Sequence, residues 1–177
     1  MSQRQINRIL RETSRSFYLT LRILPQEVRH PIGLAYLLAR ATDTVADTDS
    51  LPVGMRLDAL TGLLRQMLGQ SAASAILFGD SVPLPRTSAK MAEVELVGRF
   101  AEVLSLMEKL EAPTVTLIRE VLAIIVSGQE LDLRRFKEAS AGHIVALRTV
   151  AELDDYTYRV AGCVGEFWCK LTRSCLY

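Results

Sequence analysis

Apolar residues recur at intervals of three and four along most of the sequence, and this spacing places them on one face of an α-helix. No segment shows the strict apolar–polar alternation between turn residues that is typical of a half-buried β-strand. With 177 residues, of which 49% are hydrophobic, the chain is long enough to bury a core. The sequence therefore predicts an all-α fold with one helical domain over residues 1–177.

Prolines, glycines and polar runs divide this pattern into elements. The predicted helices cover residues 6–13, 25–46, 55–68, 88–110, 115–137 and 145–177. The predicted loops cover residues 48–54, 79–87 and 140–143. Apolar residues continue to Leu176 and Tyr177 without a C-capping glycine or a polar tail, so we expect the chain to stop inside a larger structure.

The charge balance excludes some classes of partner. Lys and Arg together number 21 and Asp and Glu number 20, which leaves no strong field to attract nucleic acid. The first residues are charged and lack the apolar segment of a signal peptide. The longest apolar run, 121–127, is far shorter than the roughly 20 residues that span a bilayer. We expect a cytoplasmic chain, with peripheral membrane contact as the alternative.

The segment YLLARATDTVAD, residues 36–47, carries the clearest chemical signal. Tyr36, Arg40, Asp43 and Asp47 fall within a stripe about 60° wide on an otherwise apolar helix. Two carboxylates one turn apart repel each other and attract a cation, and oxygen ligands with room for water suit Mg²⁺ beside a phosphate. Arg40 can bind phosphate oxygens through its guanidinium fork. The same spacing also occurs in ordinary charge pairs at an exposed helix end.

Three further segments contain residue types that could act together with this stripe. The run TSRSF, residues 13–17, offers hydroxyls, an arginine and an aromatic ring to a phosphate, although a solvated helix end looks similar. In SGQELDL, residues 127–133, a glycine inside an apolar helix marks either ligand approach or helix packing. In DDYTYRVAGCVGEFW, residues 154–168, small residues adjoin a tyrosine that could transfer a proton or shield a cation. Simple core packing would explain this last segment equally well.

Together, and in this order, the four segments resemble the squalene/phytoene synthase family. TSRSF followed by YLLARATDTVAD resembles squalene synthases especially closely, and Tyr156 to Gly165 is similar to the family's Tyr-x-x-x-Val-Ala-Gly-x-Val-Gly signature. The resemblance spans residues 13–168. It implies an isoprenoid-synthase helical bundle around a central cavity.

The resemblance also implies roles for individual residues. Asp43 and Asp47 would hold Mg²⁺ on an allylic diphosphate, and Tyr156 would act as an acid/base or cation-stabilising group. The residues implied in substrate binding are Ser14, Arg15, Ser16, Phe17, Tyr36, Arg40, Gly128, Gln129, Asp132, Ala161 and Gly162.

The function implied is Mg²⁺-dependent, head-to-head condensation of two farnesyl diphosphates to presqualene diphosphate and squalene, with NADPH as reductant if squalene is formed. Phytoene synthesis and hydroxysqualene or presqualene diphosphate formation are alternatives, and so is an inactive chain or assembly subunit. Some squalene synthases carry an acidic residue where this chain has Ala46. The family's second aspartate-rich motif does not occur before Tyr177, so we expect a fragment or a truncated product.

Overall fold

The fold is built from packed helices. The structure is a computed structural model that describes residues 2–14, 16–71 and 88–177. Its α-helices are α1 Gln3–Ser14, α2 Phe17–Ile23, α3 Gln26–Ala46, α4 Val53–Met67, α5 Ser88–Gly98, α6 Phe100–Met107, α7 Ala112–Arg135, α8 Val150–Thr157 and α9 Cys163–Leu176. A π-helical turn, Tyr158–Gly162, joins α8 to α9.

The prediction of an all-α fold is confirmed. Within the described ranges the only β pairing is one isolated bridge between Ser140 and His143. The predicted loop 79–87 lies outside the described residues. None of the helices that the structure describes is sufficiently long and apolar to cross a bilayer.

Helices α3 and α7 are at the centre of the packing. α3 contacts α4, α5, α6, α7 and α9, and α7 also contacts α4, α9 and the π-helical turn. The apolar side of α3 is almost fully buried, with Leu34, Leu37 and Leu38 each at 0% exposure. α7 contributes Ile118 and Leu122, which are equally buried. This apolar contact determines which faces of the two helices remain available for chemistry.

The prediction of one helix over residues 88–110 is wrong, because the chain breaks at Arg99. Arg99 has φ −104° and ψ 14°, which leaves helical geometry between α5 and α6. The preceding Gly98 weakens the helix at this point. Ion pairs from Arg99 to Glu95 (3.2 Å) and to Glu102 (3.0 Å) hold the two segments together.

The predicted start of the last helix at residue 145 is also wrong. α8 begins at Val150, because Thr149 caps it by accepting a hydrogen bond from the Glu152 backbone N–H (3.1 Å). The Glu152 carboxylate in turn accepts a bond from the Arg148 N–H (2.6 Å), which resembles a capping box. The short helix α2 has no counterpart in the predicted elements.

Gly128 lets α7 approach the π-helical turn closely. A Cβ atom on Gly128 would lie 3.0 Å from Cβ of Arg159 and 3.4 Å from its carbonyl carbon. Arg159 is fixed there by donating to Ser127 Oγ (3.0 Å) and to the Asp155 carboxylate (2.9 Å). The glycine within the apolar helix therefore serves helix packing.

Gly128→Ala should lower the free energy of unfolding by about 1–3 kcal/mol, because the added methyl group forces the backbone of the π-helical turn away from α7. Gly62→Ala on α4 is the matched control, since no atom of residues 2–14, 16–71 or 88–177 lies within 4 Å of the added methyl group. That change should stabilise the chain by up to about 1 kcal/mol. Urea denaturation measures both, and equal effects at the two positions would contradict this account.

Candidate functional site

A cavity of about 360 Å³ opens between the C-terminal half of α3 and the C-terminal half of α7. The segment around α8 and the π-helical turn forms its third wall. The residues that line it are Tyr36, Ala39, Arg40, Asp43, Ala46, Asp47, Ile125, Gly128, Gln129, Asp132, Leu133, Tyr156 and Val160. The volume falls within the range of small-molecule sites.

The four residues of the α3 stripe all line this cavity. The opposite side of α3 is used by the core, so the stripe is left facing the cavity. The side chain of Asp43 keeps 39% of its surface exposed. Because Asp43 lines the cavity, the exposed part of its side chain faces the interior of the cavity. The Tyr36 hydroxyl donates to the Thr13 carbonyl oxygen (2.9 Å) and ties α3 to the end of α1.

Burial and nearby negative charge destabilise the ionised form of both carboxylates of the stripe. Burial raises the pKa of Asp43, and the negative charge of Asp47 raises it further. Burial also raises the pKa of Asp47, with smaller contributions from the charges of Asp49 and Asp132. The positive charge of Arg40 opposes both shifts. An added cation would therefore relieve the crowding of negative charge.

Arg40 is shared between two carboxylates on different helices. One terminal nitrogen donates to Asp43 and the other donates to Glu93 of α5. The Nε atom of Arg40 is buried and has no hydrogen-bond partner among the described residues. The sequence analysis missed Glu93, because a lone glutamate on a helix is typical of a solvated face and carries no motif.

Tyr156 and Asp132 meet across the cavity from the stripe. The Tyr156 hydroxyl donates to an Asp132 carboxylate oxygen at 3.0 Å. Burial raises the pKa of Tyr156, and the hydrogen bond to Asp132 raises it further, so the phenol stays protonated at neutral pH. Gln129 lines the same wall, and its side-chain carbonyl oxygen is buried without a partner in the part of the chain that the structure describes. That oxygen is free to accept a hydrogen bond from a ligand.

The structure does not bring the serines of the TSRSF run to this cavity. Ser14 is buried and donates to the Leu10 carbonyl oxygen, so its hydroxyl is used within α1. Ser16 is exposed at the start of α2. Phe17 packs on Tyr36, with ring centroids 5.0 Å apart. Arg15 lies outside the described residues.

Ala161 and Gly162 also lie away from the cavity lining. Both are exposed on the π-helical turn. The side chain that this turn contributes to the cavity is Val160. The close approach that small residues allow occurs instead at Gly128.

A smaller apolar pocket of about 80 Å³ continues from the cavity. It is lined by Phe17, Ile32, Ala35, Tyr36, Ala39, Val121, Ile125, Val164, Phe167 and Trp168. Tyr36, Ala39 and Ile125 line both spaces. A ligand with a charged head and an apolar tail would match this pair of spaces. The sequence analysis missed Trp168, whose ring lies 6.0 Å from that of Phe17.

The carboxylates fit Mg²⁺ better than a metal bound only by protein groups. Among the described residues, no three His, Cys, Asp or Glu side chains lie close enough to hold a metal together. Asp43 and Asp47 offer oxygen atoms one helical turn apart on a cavity wall. Mg²⁺ keeps several waters and is usually held by one or two carboxylates together with substrate phosphates. This donor set therefore suits Mg²⁺ that arrives with a phosphorylated ligand.

Asp47→Asn should stabilise the chain in magnesium-free buffer at neutral pH. Asp47 caps the C-terminal end of α3, where a negative charge opposes the helix dipole. Its raised pKa means that ionisation costs more in the folded chain than in the unfolded chain, so this cost appears as the pH rises through the folded pKa. Removing the charge should gain about 0.3–1 kcal/mol.

Thermal denaturation in EDTA measures this gain, with Asp58→Asn as the control at an exposed position on α4. The difference between Asp47→Asn and wild type should shrink when the pH is lowered towards 4. A melting temperature that falls on substitution would contradict the electrostatic account.

Comparisons with known proteins agree with this architecture. Squalene synthase LSS from Botryococcus braunii is 27% identical over 164 residues, which cover 93% of this chain and 31% of that protein. Squalene synthase ERG9 from Saccharomyces cerevisiae is 27% identical over 158 residues, which cover 89% and 32%. The chain thus spans about a third of the length of these relatives.

A bifunctional lycopene cyclase/phytoene synthase from Phycomyces blakesleeanus is 41% identical over a shorter stretch of 63 residues, which covers 34% of this chain and 10% of that protein. In the structure of TcSQS in complex with the ligand E5700, the matching part superposes with a TM-score of 0.74 at 26% identity. The match covers 97% of this chain and 44% of that structure. The family model for squalene/phytoene synthase matches residues 10–175, and the chain therefore belongs to the squalene/phytoene synthase family.

Proposed function

We propose that this chain takes part in the Mg²⁺-dependent, head-to-head condensation of two prenyl diphosphates, with farnesyl diphosphate as the substrate and presqualene diphosphate and squalene as products. The observation that carries the proposal is the α3 stripe on a cavity wall that continues into an apolar pocket. Its two aspartates and one arginine suit the diphosphate. The aromatic and aliphatic walls suit the prenyl chain.

Asp43 and Asp47 would hold Mg²⁺, which would neutralise the diphosphate as the allylic carbon–oxygen bond breaks. Arg40 would donate to diphosphate oxygens and stabilise the same leaving group. Ile125 and Val160 form part of the apolar wall. They would keep water from the allylic cation that remains.

Tyr156 would face that cation with a neutral phenol. Its raised pKa keeps the proton on the oxygen, and Asp132 fixes the direction of the O–H group. A phenol oriented in this way can stabilise a nearby cation through its ring or exchange a proton through its oxygen. The carboxylate of Asp132 would accept the hydrogen bond from the Tyr156 hydroxyl in either role.

Phytoene synthesis from geranylgeranyl diphosphate is the second candidate. The observation in its favour is the 41% identity to the bifunctional lycopene cyclase/phytoene synthase, which exceeds the identity to the squalene synthases but covers far fewer residues. The two reactions share the diphosphate site and differ in chain length and in the need for NADPH. The longer matches favour the squalene type.

Incubation with farnesyl or geranylgeranyl diphosphate, with and without NADPH, separates these candidates by the mass of the product. Presqualene diphosphate from farnesyl diphosphate without NADPH, and squalene with it, would support the first candidate. Phytoene from geranylgeranyl diphosphate would favour the second candidate. Hydroxysqualene would indicate capture of water, and no product from either substrate would favour an inactive chain or an assembly subunit.

Asp43→Asn combined with Asp47→Asn should abolish Mg²⁺-dependent binding of inorganic diphosphate, because the metal loses both carboxylates of the stripe. Calorimetry measures the binding. Asp58→Asn combined with Asp154→Asn is a matched pair of exposed aspartates outside the cavity lining. Equal affinity in the two double variants would exclude the stripe as the metal site.

In an active enzyme that contains this chain, Tyr156→Phe should lower kcat by about 10²-fold or more while KM changes little, because the phenol acts after the substrate has bound. The hydrogen bond to Asp132 is lost, but the ring remains packed at 6.1 Å from that of Phe136. Tyr158→Phe is the control, since that phenol donates to Glu166 at an exposed position. An unchanged kcat in Tyr156→Phe would limit this tyrosine to packing.

A further inference from the structure

Arg40 is bound to two carboxylates, Asp43 and Glu93, and lines a cavity that holds two more aspartates. Among the residues described as lining the cavity it is the one cation, facing Asp43, Asp47 and Asp132. One terminal nitrogen is bound to Asp43, which the proposed function also requires as a metal ligand. An Asp43 oxygen that coordinates Mg²⁺ has less electron density to offer Arg40. Binding of the metal would therefore weaken this ion pair.

The second partner of Arg40 is outside the cavity lining. Glu93 lies on α5, which packs against α3, and its side chain is only 16% exposed. Its carboxylate accepts from the other terminal nitrogen of Arg40. Glu93 does not line the cavity, and its contact with the site is the one it makes with Arg40, although its charge also raises the pKa of Asp43 and Asp47 slightly.

We propose that Glu93 is a positioning residue, which holds the Arg40 guanidinium against the cavity wall while the opposite arm exchanges Asp43 for an oxygen of the diphosphate. The inference rests on the proposed function in taking diphosphate as the ligand and Asp43 as a ligand of Mg²⁺. It assigns Glu93 a role that no motif of the sequence carries.

The geometry of the guanidinium supports separate roles for its nitrogen atoms, one bound to Glu93 and the others available to a ligand. Glu93 uses one terminal nitrogen, which leaves the nitrogen now on Asp43 and the partnerless Nε for a ligand. Arginine has a long side chain with many rotamers, and ordering it on a ligand costs entropy unless another contact has already fixed it. The contact with Glu93 provides this order before the ligand arrives.

A competing role for Glu93 would be simple neutralisation of Arg40. In that case Glu93 would reduce the attraction of Arg40 for an anion, and removing its charge would tighten diphosphate binding. The positioning role predicts the opposite sign. The two roles are therefore separated by the direction of one change in affinity.

The experiment is calorimetric titration of the purified chain with inorganic diphosphate at saturating Mg²⁺. Glu93→Gln should weaken the affinity about tenfold, as is typical when the partner of a ligand-binding group is removed. Glu93→Asp keeps the charge and should bind closer to wild type than Glu93→Gln does. In an Arg40→Gln background, Glu93→Gln should have no further effect.

Glu95→Gln is the matched control on the same helix, because Glu95 pairs with Arg8 (2.6 Å) and Arg99 (3.2 Å) away from the cavity. It should bind diphosphate as wild type does. Circular dichroism in magnesium-free buffer checks that each variant folds. Should Glu93→Gln not fold, the comparison of Glu93→Asp with Glu95→Asp decides, with weaker binding expected only for the former.

Wild-type or tighter binding by Glu93→Gln would overturn the role of Glu93, and so would Glu93→Asp binding no better than Glu93→Gln. If in the same series wild type binds and the Asp43→Asn, Asp47→Asn double variant does not, the proposed function stands without the positioning role. Failure of wild type to bind diphosphate with Mg²⁺ would overturn both.

Discussion

The apolar contact between α3 and α7 is the constraint on which the site depends. α3 commits one side to the core, where Leu34, Leu37 and Leu38 are fully buried. Burial of such side chains contributes roughly 1.5–3 kcal/mol each, far more than the exposed charge pairs of this chain can contribute. The helix therefore cannot rotate to bring its charged stripe into water. The aspartates stay on the cavity wall because the core holds the opposite side of the helix.

The electrostatics of the site follow from this arrangement. Three aspartates face one arginine in the cavity lining, and burial raises the pKa of both stripe carboxylates. The residues that line the cavity thus carry less positive charge than their carboxylates require. A metal cation bound together with an anionic ligand would satisfy both kinds of charge, because the cation would pair with Asp43 and Asp47 and the anion would pair with Arg40. A chain selected for stability alone would have no reason to keep these charges together.

Sequence reasoning predicted the parts of this structure that depend on neighbours along the chain. Helical periodicity gave the all-α fold, and the spacing of Tyr36, Arg40, Asp43 and Asp47 placed them on one face, because both depend only on positions a few residues apart. The break at Arg99 and the contact from Glu93 to Arg40 depend on how separate helices meet. No local pattern contains that information. The TSRSF serines show the opposite case. Their motif suggested phosphate binding, but it did not predict where the serine hydroxyls lie in the structure.

The position of the cavity wall opposite α3 depends on one close contact, between α7 and the π-helical turn. Gly128 and Asp132 are four residues apart and hence lie on the same side of α7. At Gly128 the absence of a side chain allows Arg159 to contact the helix backbone. One turn further on, the same approach brings Tyr156 within 3.0 Å of Asp132. The turn that follows has the wider π-helical geometry, which often marks functional sites. Within this turn Val160 lines the cavity, while Arg159 remains in contact with α7. The orientation of the phenol is therefore set by helix packing at Gly128, a position that carries no reactive group.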